Sequence, residues 1–154
     1  GRKDIILVSD ETHSIHSEMR RKGFLRFFEE KNDTSFNIEE MPVPFSLSSS
    51  KTIVSKIAEK GKFPVSVFVI NDEIAAGMIL DLAKAGLKCP EDVSILGFDG
   101  LSIGGYMVPK LRSVAFPFQE IGRIAGKIFL DFSQGKKMDK IYWLNADITE
   151  GGSS

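Results

Sequence analysis

Residues 65–99 read VSVFVINDEIAAGMILDLAKAGLKCPEDVSILGFD, and their reading decides the fold. Two apolar runs each end in a compact polar group: Asn71, Asp72 and Glu73 after the first, Asp99 after the second. A helical stretch with small residues Ala75, Ala76 and Gly77 in its first turns joins them. Strand, crossover helix, strand is the grammar of a parallel sheet. In an open parallel sheet, ligands bind in the crevice beyond the carboxyl ends of the strands. Asn71 and Asp99 are therefore expected to point at one place, a crevice of fixed oxygens and amides with no evident nucleophile.

The same alternation extends in both directions. Residues 4–9 (DIILVS) suit a strand buried on both faces. Ser14 or Ser17 then starts a helix reaching about Lys31, with Met19, Phe24, Phe27 and Phe28 as its apolar stripe. Residues 36–41 form a second strand, after which Pro42 and Pro44 impose an extended loop carrying Phe45. Ser48, Ser49 and Ser50 cap a helix with Ile53, Val54, Ile57 and Ala58 inward, stopped by Gly61. Residues 65–70 are the third strand, residues 72–85 the third helix with Gly86 as its stop, and residues 93–98 the fourth strand. This βαβαβαβ order specifies an α/β fold: an open parallel sheet with helices on both faces and right-handed crossovers. Beyond it, 100–109 reads as a loop and 111–116 as a strand. Residues 119–132 read as a helix with Ile121, Ile124, Ala125, Ile128, Phe129 and Phe132 inward, 141–148 as a last strand, and the tail GGSS as frayed.

Composition narrows the function classes. The chain has 154 residues, 42% hydrophobic and 27% charged, with a formal net charge of −1, which suits one domain with a real core and leaves no basic footprint for nucleic acid. The single cysteine, Cys89, excludes an internal disulfide and fits a reducing compartment, with the cytoplasm as the expected location. No run approaches a membrane span, so no membrane partner is expected. The chain contains no GxSxG, CxxC, HExxH or GxxxxGK[ST], and His13 and His16 lack metal spacing. No catalytic residue, metal or cofactor is assigned, and no enzyme activity is expected.

Several motifs in order carry a family resemblance: GRKDI before the first strand, RRKGF at residues 20–24, VFVINDEIAAG, AGLKCPEDVSILGFDG, VPKLRSV and IGRIAGKIFL. Together they span nearly the whole chain, which resembles the C-terminal part of the effector-binding domain of lac/galactose-repressor-family transcription regulators. The resemblance implies one lobe of a periplasmic-binding-protein-like fold. In that division, residues 1–110 are the C-terminal lobe, 111–138 a crossover strand and helix belonging to a first lobe mostly missing here, and 139–154 a return strand and tail. The chain is then expected to be a piece of a longer regulator whose DNA contacts lie in an absent N-terminal helix-turn-helix domain.

The resemblance also implies site residues. Arg20, Asn71 and Asp99 are expected to grip the effector, with Phe45 stacking on it; Ser14, His16, Phe116 and Phe118 fall at further contact positions. A guanidinium fork, a carboxylate accepting from adjacent hydroxyls and an aromatic face suit a polyol, so a sugar or sugar phosphate is favoured over a purine. Plainer roles remain open: Asn71 as a helix cap, Asp99 as a turn cap, Phe45 as local packing, Arg20 as a solvated face.

Two other functions share the pattern. A sugar receptor of a transport system has the same fold, and a flavodoxin-like phospho-acceptor domain would gather Asp10, Glu11, Asp72 and Asp99 at the strand ends, with Lys110 the nearest lysine. A homodimer is expected through Ile79, Leu80, Tyr106 and Met107, with Ile79 and Leu80 turned outward. The apolar stripe at 118–132 is expected either to fold back on its own sheet or to pair with the same helix of another chain.

Overall fold

A computed structural model describes residues 2–32, 34–137 and 141–154. The elements run β1 (Asp4–Asp10), α1 (Ile15–Lys31), β2 (Asn37–Val43), α2 (Ser49–Lys60), β3 (Val65–Val69), α3 (Asp72–Lys84), β4 (Val93–Asp99), β5 (Arg112–Ala115), α4 (Phe118–Ser133) and β6 (Asp147–Ile148), with a 3₁₀ turn at Ser102–Tyr106. They build one six-stranded sheet in the order β2-β1-β3-β4-β5-β6. The first five strands are parallel, and β6 is antiparallel to β5 at the edge. This is the expected open α/β sheet, with one antiparallel edge strand added.

Alternation along the strands divides the core. Ile6, Val8, Val67, Val69 and Ile95 face α2 and α3, meeting Ile53, Ile57, Ile74, Met78 and Leu82. Leu7, Phe68 and Ile70 face the other way, against Phe24 and Leu25 of α1. Burying each such side chain contributes about 1.5–3 kcal/mol, so the α2–α3 face is the main source of stability. β2 runs on through Pro42 to Val43, two residues past the expected stop. Its place at the sheet edge tolerates a residue without an N–H.

Several expectations are corrected. Ile79 is 2% exposed and lies in the α2–α3 core, because that helix is apolar around more than one side; only Leu80 of the pair faces out. Met19 and Phe27 are exposed, leaving Phe24 and Phe28 as the packed part of the α1 stripe. The last strand shrinks to Asp147–Ile148, and Ile141 and Trp143 stand in solvent. The division near 138–139 lies outside the described residues. β5 joins the sheet beside β4, while α4 leaves it: no residue of α4 is buried, and Phe129 is 75% exposed. The stripe at 118–132 therefore does not fold back on its own sheet; β5 and β6 fill the edge it would need. The GGSS tail is not frayed, for Ser153 is fully buried.

One buried acid links the elements around the crevice. Asp72, at the start of α3, is 0% exposed. It accepts from the Leu101 N–H at 2.7 Å and from the Ser113 hydroxyl at 2.6 Å. The carboxylate thereby joins α3, the turn after β4 and β5. Gly97 makes room for it, since a Cβ there would overlap the Asp72 carboxylate and press on Leu111. Gly97→Ala is expected to lower stability by about 1–3 kcal/mol in urea unfolding, the usual range for overpacking. In Gly122→Ala, where an added methyl meets nothing within 4 Å, stability should hold or rise, because alanine favours a helix.

A second tie joins α1 to β2. Arg21 donates to both Glu40 oxygens, at 2.5 and 2.8 Å, and Ser9 adds a bond at 2.7 Å. Arg21 above all holds the Glu40 carboxyl below its usual range, with Ser9 assisting against burial. A carboxyl lowered in the folded state stabilises above its unfolded pKa and loses that contribution as pH falls through the folded value. Glu40→Gln should therefore destabilise at neutral pH, by about 1 kcal/mol. The gap to the wild type should close on acidification, read from melting temperatures across a pH series.

Candidate functional site

Three adjacent strand ends and one helix supply the site. β3 delivers Ile70 and Asn71, β4 delivers Phe98 and Asp99, and β5 delivers Phe116 just past its end. Arg20 reaches over from α1. One of its terminal nitrogens donates to the Ile70 carbonyl at 2.7 Å, and the other pairs with an Asp99 oxygen at 2.7 Å. The guanidinium carbon lies 4.5 Å from the centre of the Phe98 ring and 5.6 Å from that of Phe116. Phe118 stands beside Phe116, with ring centres 5.8 Å apart.

Asn71 has two tasks. Its carbonyl oxygen accepts from the Ile74 N–H at 3.0 Å, capping α3, and its amide nitrogen donates to the second Asp99 oxygen at 3.2 Å. The Asx cap fixes the side chain, which aims its N–H at Asp99. Asp99 has φ +121°, a conformation non-glycine residues rarely adopt, and Gly100 follows at φ +72°. Local strain is thus held at the point where the carboxylate turns toward Arg20.

Both members of the ion pair are largely covered, at 18% and 13% side-chain exposure. Burial pushes the Asp99 carboxyl above its usual range, the Asp72 carboxylate adds to this, and Arg20 and Asn71 pull against it. The direction says that desolvation outweighs the pairing. Asp99 is a carboxylate for which further donors would be welcome.

A second polar group sits at the end of β1. Burial alone would raise the Asp10 carboxyl, but the Thr12 N–H and hydroxyl, with Ser14 and Ser17, outweigh it and hold it low. Ser14 donates to Ser17 at 2.8 Å.

The structure thus brings together Arg20, Asn71, Asp99, Phe116 and Phe118. Ser14 belongs to the Asp10 group, His16 is exposed, and Phe45 is exposed on the loop after β2 with no ring or cation contact among the described residues. Phe98 and the Ile70 carbonyl complete the Arg20 cradle and were not anticipated. The signal for Phe98 was its place next to Asp99 at a strand end. Asp72 is committed to its bonds with Leu101 and Ser113, although its charge still bears on Asp99. Among the described residues no group of three metal-ligating side chains occurs.

The family of periplasmic binding protein-like domains matches residues 1–154. The HTH-type transcriptional repressor PurR of Vibrio vulnificus (strain CMCP6) is 30% identical over 140 residues, covering 91% of this chain and 42% of the relative. Its counterpart from Aliivibrio fischeri (strain MJ11) is 29% identical over 143 residues, again 91% of this chain and 42% of the relative. The chain therefore spans less than half the length of these curated relatives. Among solved structures, a LacI family transcriptional regulator from Enterococcus faecium with bound ribose superposes with TM-score 0.82 at 28% identity, over 100% of this chain and 57% of that one. A lac repressor dimer bound to operator and the anti-inducer ONPF gives TM-score 0.86 at 20% identity, over 100% and 53%, a likeness of fold.

Replacing Arg20 by Met should leave Asp99 covered and charged with only Asn71 to answer it. The expected cost is about 2–4 kcal/mol in urea unfolding. The Asp99 carboxyl should titrate higher still, followed by carbon NMR of that side chain; a titration unmoved by the substitution would contradict this electrostatic account.

Proposed function

This chain belongs to the periplasmic binding protein-like domain family, and we propose that it is the effector-binding module of a DNA-binding transcription regulator of the lac-repressor type. The observation that carries the reading is the Arg20 cradle. Two of the guanidinium's five N–H donors are engaged by Ile70 and Asp99, and the Phe98 and Phe116 rings lie beside its central carbon. The remaining donors, the Asp99 oxygens and the faces of Phe116 and Phe118 then meet a small polar ligand at the strand ends.

The ligand we propose is a sugar or sugar phosphate. Vicinal hydroxyls accept from Arg20 and donate to Asp99, and a ring's C–H face lies on an aromatic side chain. A regulator 28% identical to this chain carries ribose, which supports that choice. Ser14, His16 and Phe45, all exposed, are secondary contact positions implied by the resemblance. Occupancy would act by population shift: the ligand favours one arrangement of two lobes, and that arrangement alters how a dimer presents its DNA-binding units. No covalent step is required, and on this reading the protein works in the cytoplasm. A transport receptor remains the alternative; the repressor names of the relatives favour the regulator.

The dimer we propose uses Leu80 and Tyr106, both exposed, and Met107, which is half-buried; Tyr106 is 82% exposed. The solved lac repressor dimer supports such an assembly.

The test is a thermal-shift panel of pentoses, hexoses, sugar phosphates and nucleobases at millimolar concentration. At least one sugar should raise the melting temperature of the wild type and fail to raise that of Asp99→Asn. Because these residues form one wall of a crevice that the family fold closes with a second lobe, affinity should be far weaker than micromolar. Stabilisation by nucleobases alone would overturn the sugar assignment.

A further inference from the structure

The segment from Thr149 to Ser154 bends around the start of β5, and its bonds trace the path. Past β6, Thr149 N–H donates to the Ser113 carbonyl at 2.9 Å, and its hydroxyl oxygen accepts from the Ser113 N–H at 2.8 Å, both on the outer edge of β5. Gly152 N–H then donates to the Lys110 carbonyl at 3.0 Å. Ser153 arrives on the opposite side, against β4. Its carbonyl accepts from the Ile95 N–H at 2.6 Å, and its hydroxyl donates to the Ile95 carbonyl at 2.7 Å while accepting from the Arg112 N–H at 2.9 Å. The Arg112 guanidinium closes over the segment, reaching the Gly151 carbonyl at 2.9 Å and the Ser154 carbonyl at 3.3 Å.

Sheet register explains why a slot exists. β4 pairs with β5 only from Leu96 onward, so the Ile95 edge has no β5 partner. An unpaired, buried N–H and C=O on a central strand cost several times a normal hydrogen bond's net worth, and Ser153 answers both. The slot selects small residues. A Cβ on Gly151 would lie 2.6 Å from the Arg112 nitrogen and 2.8 Å from the Lys110 carbonyl oxygen, which are backbone atoms that cannot step aside.

We propose that residues 149–154 are a hasp that holds β5 to β4, and that Ser153 is a positioning residue for the wall of the crevice. β5 carries Ser113, which bonds Asp72, and leads directly into Phe116, which lies over Arg20. Loosening the hasp frees that whole wall without touching any residue that faces a ligand. The inference is independent of which ligand fills the crevice.

Hydrogen exchange on the 154-residue chain tests this with no ligand needed. In Ser153→Ala, protection of the Ile95, Arg112 and Val114 amides should fall about tenfold or more, while Leu7 and Val8 on β1 keep wild-type protection. Ser153→Thr, which keeps the hydroxyl, should lose less. A chain shortened after Ile148 should show the same local loss, and added peptide of sequence TEGGSS at millimolar concentration should restore part of it. If the shortened chain does not fold, the Ser153→Ala pattern decides alone. Unchanged protection at Ile95 and Arg112, or an equal loss across β1 to β5, overturns the hasp.

Discussion

Arg20 and Asp99 meet at 2.7 Å in a setting that neither would tolerate alone. A covered carboxylate at the end of a strand, turned by a strained backbone, needs a cation; a covered guanidinium needs acceptors on its edge and something flat on its faces. Arg20 finds its acceptors in the Ile70 carbonyl and Asp99, and two aromatic rings, Phe98 and Phe116, beside its central carbon. Removing either partner leaves the other desolvated and unanswered, so the pair fixes where α1 sits relative to the ends of β3, β4 and β5. Burial still wins against pairing at Asp99, whose carboxyl stays above its usual range. That residual appetite for donors is what a hydroxyl-bearing ligand would meet.

The pair stands on a second buried acid. Asp72 holds the turn after β4 through Leu101 and holds β5 through Ser113, and Gly97 leaves the room it occupies. β5 is held again at its start by Ser153, which bridges Arg112 to Ile95 of β4. The aromatic line Phe24, Phe68, Phe98, Phe116 runs under α1 and up to the crevice, with neighbouring ring centres 4.7–6.1 Å apart. Rigid support of this kind suits a binding site whose partners must be in place before the ligand arrives.

The parallel sheet and the convergence of Asn71 and Asp99 were legible in the sequence, because strand ends and crossover helices have local signatures; Arg20 entered through the family resemblance that residues 20–24 carry. What was not legible depended on packing between distant segments. Ile79 lies on a helix apolar around most of its surface, so periodicity alone cannot say which residues face out. GGSS has the composition of a loose tail, and nothing local announces that the register of β4 and β5 leaves a slot of its size. The exposed stripe of α4 reads as core from its spacing, yet β5 and β6 occupy the sheet edge it would need. Phe98 was hidden by its own neighbour: Asp99 drew the chemical reading, while the ring beside it steadies Arg20.

The central claim is that the crevice at the carboxyl ends of β3, β4 and β5, organised by Arg20 and Asp99, is where this domain takes its ligand. The most direct measurement is a nitrogen-proton NMR titration of the labelled chain with ribose and ribose 5-phosphate, following side-chain as well as backbone signals. The account predicts that the Arg20 Nε–H, the Asn71 side-chain amide and the Asp99 backbone amide move together and saturate with one midpoint. Saturable shifts confined to another surface, such as the hollow of about 220 Å³ bordered by Asp4, Asn37, Glu39 and Lys60 at the opposite end of the strands, with those three signals still, would contradict it.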